Sequence, residues 1–170
     1  VQESQILQSE IVSSDDFRVL VSDKDFVDYN QRSKDEADSL YEEYLQISKE
    51  AFALMDDVIE KRAKLNKVTF VDATHLHPDD RKRYREIARR QHVPIMAILF
   101  DVEQEILLQR DEMRENPRGK RRIKQQFQTF KREKRFIKKE GYKAIYIARE
   151  EEINLKRVSQ NPLYIDVSNG

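Results

Sequence analysis

The sequence predicts an α/β protein in which a parallel sheet is flanked by helices. Short apolar, β-branched stretches alternate with longer stretches whose apolar residues recur every three or four positions. This alternation runs through the whole chain, as is typical of parallel strands joined by right-handed helical crossovers. The 170 residues are 38% hydrophobic and 38% charged. Because the apolar residues are patterned, the composition indicates a folded domain and not a disordered chain.

Two strands and two helices are predicted in the first half of the chain. A short buried strand covers residues 11–14, and a long helix covers 35–65, with Asn66 as its stop signal. The stretch 67–74 is almost continuously apolar, as in a strand buried on both faces. A further helix begins at Pro78, which is a favoured residue in a first helical turn.

The second half repeats the pattern. A strand at 93–102, apolar on both faces, precedes a helix at 103–115 that buries Ile106, Leu107 and Met113. The turn residues "NPRGK" separate this helix from one at 121–139. A strand "YKAIYIA" and a last short strand in "PLYIDV" follow. The helix at 121–139 has one apolar stripe, which we interpret as core and not as a base-stacking surface: Ile123, Phe127, Phe130 and Ile137.

Charge is segregated although the net charge is zero. Residues 1–62 contain 16 acidic and 7 basic residues, whereas 110–139 contain 4 acidic and 13 basic ones. A basic segment attracts phosphates, either of a nucleotide or of a nucleic-acid backbone, but it also suits a solvated helix face. Both interpretations stay open on composition alone.

Some classes of protein are disfavoured by what the sequence lacks. It has no cysteine, which excludes disulfides and zinc–thiolate sites and agrees with a reducing, cytoplasmic location. It also has no apolar run of about 18 residues and no signal peptide, so no membrane association is expected. His75 and His77 lack a third ligand at a suitable spacing, so no metal site is expected on these side chains.

Aspartates follow three of the predicted strands. Asp15 and Asp16 come after the first, Asp72 ends the second and Asp101 follows the third. Ligands of parallel sheets bind beyond the carboxyl ends of the strands. These residues therefore predict a polar ligand edge, although aspartates at such places also cap the next helix.

Two pairs of residues in this framework suit phosphate chemistry. Asp15 and Arg18 are three apart and share a helix face, where a carboxylate accepts a proton and an arginine binds a phosphate with two parallel hydrogen bonds. The alternative is a helix cap with a local salt bridge. Arg110 and Arg114 are four apart before a helix break, where they suit a lid over phosphates, or a solvated face with local acidic partners.

The order "SSDDFR", "VTFVDATHLHPDDR", "LFDV" and "R-x-x-x-R" resembles the 5′-hydroxyl polynucleotide kinases, over residues 11–148. It is most similar to the kinase module of bacterial RNA-repair proteins, which have the P-loop phosphotransferase fold and use ATP and Mg²⁺. The resemblance implies that Asp15 is the general base on the 5′-hydroxyl. It implies that Arg18 binds the 3′-phosphate of the terminal nucleotide and that Asp72 supports the site. Arg110 and Arg114 would form the lid over the ATP phosphates.

One motif of that family is missing. Its phosphate-binding loop reads G-x-x-x-x-G-K-S/T, and none of the three glycines, Gly119, Gly141 and Gly170, lies in that pattern. We therefore expect that the first strand and the P-loop are absent from this chain, and that the chain is a fragment of a kinase, inactive alone. A natural relative without the loop is the alternative.

The resemblance also predicts domains and partners. Residues 1–150 would be a truncated P-loop kinase-like domain, and 151–170 a linker toward a following domain such as a metallophosphoesterase. The expected partners are a 5′-hydroxyl RNA or DNA end, an adjoining phosphatase domain and an RNA-repair partner protein. The alternatives are a P-loop-free nucleic-acid-binding module using 110–139, a kinase of a small nucleoside or sugar, and a purely structural domain.

Overall fold

The computed structural model describes residues 6–23, 34–114, 117–149 and 164–166. The chain divides into two compact units: residues 1–75 with 86–93, and residues 76–85 with 94–170. Each unit is described by itself below. None of the helices in the described part of the chain has the length and hydrophobicity of a membrane-spanning segment.

The first unit contains two parallel strands and two helices packed together. After a 3₁₀ turn, strand β1 (Ile11–Ser13) leads directly into helix α1 (Ser14–Ser22), and helix α2 (Lys34–Lys64) precedes strand β2 (Phe70–Asp72). Strands β1 and β2 pair in parallel, and α1 packs against α2. The buried apolar residues lie mostly on β1 and α2: Val12, Ala51, Met55, Ile59, Ile87 and Ala88.

The second unit contains a three-stranded parallel sheet in the order β3 (Met96–Phe100), β4 (Ala144–Ala148), β5 (Tyr164–Asp166). Helix α4 (Gln104–Glu112) follows β3 and contacts helix α5 (Lys120–Ile137). Helix α3 (Pro78–Arg90) is divided between the two units. The core of this unit is a cluster of Ile137, Tyr142 and Ile145, covered by three partly buried residues: Ile95, Ala97 and Leu99.

Most of the predicted elements are confirmed, within a few residues at their ends. Helix α2 stops beside Asn66, which has the left-handed φ of 51° that asparagine tolerates. The α/β class and the parallel pairing are also confirmed, as is the short strand in "PLYIDV". The remainder of the predicted linker, 151–163 and 167–170, lies outside the described residues.

The prediction of one continuous sheet is wrong for the described residues, because β1–β2 and β3–β4–β5 form separate sheets. The full burial of β3 is also wrong: Met96, Ile98 and Phe100 are 53%, 41% and 60% exposed. Alternate residues of a strand point to opposite faces. Ala97 and Leu99 therefore pack on the core, whereas the other face of β3 is largely uncovered.

Candidate active site

Asp15 lies at the carboxyl end of the β1–β2 sheet, in the first turn of α1. Ser13 is the N-cap, so Asp15 and Asp16 follow the cap and do not form it. Carboxylates in the first turn are favoured by the positive end of the helix dipole. The Asp15 side chain is 60% exposed, and its Oδ1 accepts a hydrogen bond from Nη1 of Arg18 at 2.9 Å. A substrate can therefore reach this carboxylate from solvent.

Arg18 is held in one orientation by contacts from α2. Its side chain is only 14% exposed, and its Nε donates to Oγ of Ser48 at 3.0 Å. The guanidinium carbon lies 5.2 Å from the ring centre of Tyr44 and 5.5 Å from that of Phe52, within cation–π range. No acceptor in the described ranges binds Nη2. Contacts from α1 and α2 thus fix the position of the guanidinium.

The three α2 residues around Arg18 were not identified from the sequence as part of the site. Tyr44 and Phe52 belong to the apolar positions that repeat with the helical period along α2, and Ser48 lies between them on the same face. The sequence contained one indication of this contact: Ser48 is a polar residue between two aromatic residues, each four positions away on the same helix face. Such a serine faces the same neighbour as the aromatic residues, which here is Arg18 on α1.

Asp72 is the last residue of β2 and pairs in register with Ser13. Because β1 and β2 are parallel, Asp72 and the start of α1 lie at the same end of this sheet. The Asp72 side chain is exposed, and no residue of the described chain makes a hydrogen bond or ion pair with it. Of the strand-end aspartates that were predicted to share one edge, Asp15 and Asp72 therefore lie at the same end of the β1–β2 sheet.

Asp101, the third strand-end aspartate, lies in the second unit and has a local partner. Its Oδ2 accepts a hydrogen bond from Nζ of Lys134 on α5 at 2.7 Å, and its side chain is 16% exposed. The N-cap of α4 is Glu103. Asp101 is thus an ion-pair partner within its unit, and the suggestion that it caps the next helix is wrong.

The two lid candidates also lie in the second unit, and both are exposed. Arg110 is in the last turn of α4, but Arg114 lies beyond the end of this helix at Glu112. The prediction that one helix carries Arg110 and Arg114 on the same face is wrong, because α4 ends at Glu112 and not at the predicted residue 115. Met113, predicted to be buried, is 85% exposed for the same reason.

A buried carboxylate fixes the loop that follows these arginines. Asp111 is 4% exposed, and it accepts hydrogen bonds from the backbone amides of Arg118 and Gly119, each at 2.8 Å. Gly119 has a positive φ of 89° and is the N-cap of α5. In the alternative interpretation of this segment as a solvated face, Asp111 would be a local acidic partner of the arginines. The structure shows instead that it ties the end of α4 to the start of α5.

Replacing Asp111 by alanine is expected to lower the free energy of unfolding by about 2 kcal/mol, because two backbone amides lose their acceptor in a buried place. Amide exchange at Arg118 and Gly119 should become faster than at the centre of α5. Chemical denaturation with hydrogen-exchange mass spectrometry measures both effects. If the Asp111→Ala protein matches wild type in both, the carboxylate does not hold the loop.

Two of the histidines lie between β2 and α3. His75 follows β2 with a left-handed φ of 44°, and His77 is exposed before α3. In the described residues no three His, Asp or Glu side chains come together as a metal site requires.

The comparison with protein families gives a match over most of the chain. A family model described as an AAA domain matches residues 2–137, about four-fifths of the sequence. No curated protein matches the chain.

Proposed function

The chain belongs to the AAA-domain family, which is P-loop kinase-like and includes polynucleotide kinases, and we propose that it forms the acceptor side of a 5′-hydroxyl polynucleotide kinase. Members of the family are often kinases or other phosphotransferases, and they generally use ATP and Mg²⁺. The observation that carries the proposal is the pair of Asp15 and Arg18. An exposed carboxylate at a strand end is joined there to an arginine that two aromatic rings and a serine hold in place.

Each residue has a role in this proposal. Asp15 orients the 5′-hydroxyl and takes its proton as the hydroxyl oxygen attacks the γ-phosphorus. Arg18 binds the 3′-phosphate of the same nucleotide through Nη2, and this sets the hydroxyl against Asp15. Asp72 supports the polar edge beside them. Arg110 and Arg114 bind the phosphates of ATP, whose transferred group carries charge on its oxygens in the transition state.

The phosphate-binding loop must come from outside residues 1–170 in this proposal, since no glycine here lies in the required pattern. ATP with Mg²⁺ supplies the phosphoryl group and neutralises its charge when bound to that loop. The described residues fit the acceptor side of the reaction. The 170 residues alone are expected to transfer no phosphate.

The test is the transfer of a labelled γ-phosphate to acceptors by a protein that carries the loop together with these residues. An oligonucleotide with a 5′-hydroxyl should be labelled, whereas a free nucleoside or sugar should be a poor acceptor because it has no phosphate for Arg18. Preferential labelling of the nucleoside or sugar would favour a small-molecule kinase of the same family. Transfer by residues 1–170 alone would contradict the requirement for an external loop.

The second candidate function is nucleic-acid binding without catalysis. It is favoured by the charge of α5, which has eight basic residues and one acidic residue in its 18 positions.

A further inference from the structure

Helix α5 has two faces of opposite character. One face carries Ile123, Phe127, Phe130 and Ile137, and Ile137 is 3% exposed in the core of the second unit. At 3.6 residues per turn the opposite face carries basic residues over the whole helix and the turn after it. These exposed residues form what we name the basic row: Arg121, Lys124, Arg132, Arg135 and Lys139. Gln125 and Gln128 fill the gap in its middle.

The charge of the basic row is largely uncompensated. Arg121, Lys124 and Lys139 have no ion pair with any residue that the structure describes, and Arg132 contacts only Glu133, the next residue along the chain. The lysines of α5 that do reach acidic partners elsewhere lie off the row: Lys120 binds Glu112 and Lys134 binds Asp101. Folding therefore leaves this positive face open to an external anion.

We infer that the basic row binds the phosphate backbone of single-stranded nucleic acid. With a rise of about 1.5 Å per residue, the row extends for about 27 Å. This length corresponds to about eight phosphates at the spacing of a stacked strand, roughly 3.4 Å. Cations in a row on one helix contact phosphates, and phosphate contacts do not distinguish one base sequence from another.

An exposed aromatic residue favours a single strand over a duplex. Phe136 is 43% exposed at the edge of the basic row, and the guanidinium carbon of Arg135 lies 4.7 Å from its ring centre. A ring beside cations can stack on an unpaired base, whereas the bases of a duplex are covered by their neighbours. The aromatic residue and the row thus provide both contacts that a single strand requires.

Two other partners fit this surface less well. A membrane-binding helix inserts its apolar face into lipid, but on α5 Ile137 packs in the core of its unit, and Ile123, Phe127 and Phe130 are partly buried. Lysine is depleted at protein interfaces although arginine is enriched there, whereas a row of five cations of both kinds is typical of surfaces for nucleic acids, which are strongly positive. The occupant we assign is therefore a polynucleotide strand and not a lipid surface or a protein.

The experiment measures binding of a fluorescent 20-nucleotide single strand by anisotropy, without ATP, across a salt series. The test variant replaces Arg121, Lys124, Arg132 and Arg135 by glutamine. The matched control removes four exposed charges that are off the row: Lys61, Lys64, Lys67 and Arg89. The test variant should lose at least about tenfold in affinity at low salt. Its slope of log affinity against log salt should be shallower by about 3, at about 0.7 per phosphate contact. The control should bind nearly as wild type.

A second variant, Phe136→Ala, should lose on the order of tenfold in affinity for the single strand because it removes a stacking surface. Circular dichroism checks that each protein is folded. If the fourfold variant is unfolded, the double variant with Lys124→Gln and Arg135→Gln is used in its place. Equal losses in the test and control variants would overturn the assignment of the row. So would no binding by wild type, tighter binding to duplex than to single strand, or binding to anionic vesicles alone.

The inference stands apart from the proposed kinase. If a loop-carrying protein transfers phosphate but the variants of the basic row bind the single strand as wild type does, this inference is refuted and the kinase stands. Binding through the row by a protein that transfers no phosphate would do the reverse.

Discussion

Replacing Asp15 by asparagine is expected to slow phosphorylation of a 5′-hydroxyl by on the order of 10²–10⁴, in a protein that carries the phosphate-binding loop. Asparagine keeps the size of the side chain and its hydrogen bond to Arg18 but accepts no proton, and general bases contribute rate factors of this order. Single-turnover transfer of labelled phosphate, with acceptor and ATP saturating, measures the effect on the chemical step.

Asp16→Asn is the matched control for this prediction. Asp16 is the next residue along α1, is also exposed, and also lies in the first turn. It carries the same charge at the same helix end, so a general electrostatic effect would appear in both variants. We expect Asp16→Asn to retain most of the rate. A full rate in Asp15→Asn, or equal losses in the two variants, would show that Asp15 is not the general base.

Replacing Glu140 by glutamine is expected to have the largest effect on stability, about 3 kcal/mol in the free energy of unfolding. Glu140 binds both Arg81 and Arg85, and its Oε2 accepts hydrogen bonds from Nη1 of Arg85 at 2.7 Å and from Nε of Arg81 at 3.0 Å. Arg81 is 5% exposed, and it also donates to the carbonyl oxygen of Leu76. Losing the carboxylate charge leaves a buried guanidinium without its counter-charge, which is costly in proteins.

The pKa values of two residues in this cluster, Arg81 and Tyr142, are raised above their ordinary values. Burial lowers the pKa of Arg81, but its hydrogen bonds to Glu140 and the charge of Glu140 together raise that pKa above the ordinary value for arginine. Burial also raises the pKa of the neighbouring Tyr142. Arginine is not deprotonated in proteins, so Arg81 stays charged when a neutral residue occupies position 140.

Glu112→Gln is the control for the stability prediction. Glu112 also binds a cation, Lys120, but both side chains are more than half exposed. Pairs of this kind add little to stability because water and salt screen them. Urea denaturation should show a clear loss for Glu140→Gln and almost none for Glu112→Gln. Similar losses in the two variants would mean that burial does not determine how much the Glu140 cluster contributes to the free energy of unfolding.

Features that depend on local periodicity could be predicted from the sequence. The spacing of Ala51, Met55 and Ile59 identifies α2 and its buried stripe, and the pair of Asp15 and Arg18 follows from one helical turn after a strand. The contacts of Arg18 with α2 could not be predicted, because they join residues about 30 positions apart.

The predictions that were wrong concern pairing and helix ends. The apolar sequence of β3 suits a strand covered on both faces, but coverage depends on distant elements, and one face of β3 is exposed. Helix α4 ends before Arg114, near the hydrogen bonds that Asp111 makes to amides seven and eight residues later. No local pattern specifies such contacts across a loop.

The most direct test of the central claim is a cycle between Arg18 and the phosphate that it is proposed to bind. Single-turnover transfer would be compared for wild type and Arg18→Gln, each with a nucleoside 3′-phosphate and with the nucleoside lacking that phosphate. Loss of a charge-assisted contact predicts that Arg18→Gln slows transfer about tenfold to a hundredfold with the phosphorylated acceptor and hardly at all with the nucleoside. Equal losses with both acceptors would contradict the account, because Arg18 would then act on the fold or on ATP and not on the acceptor phosphate.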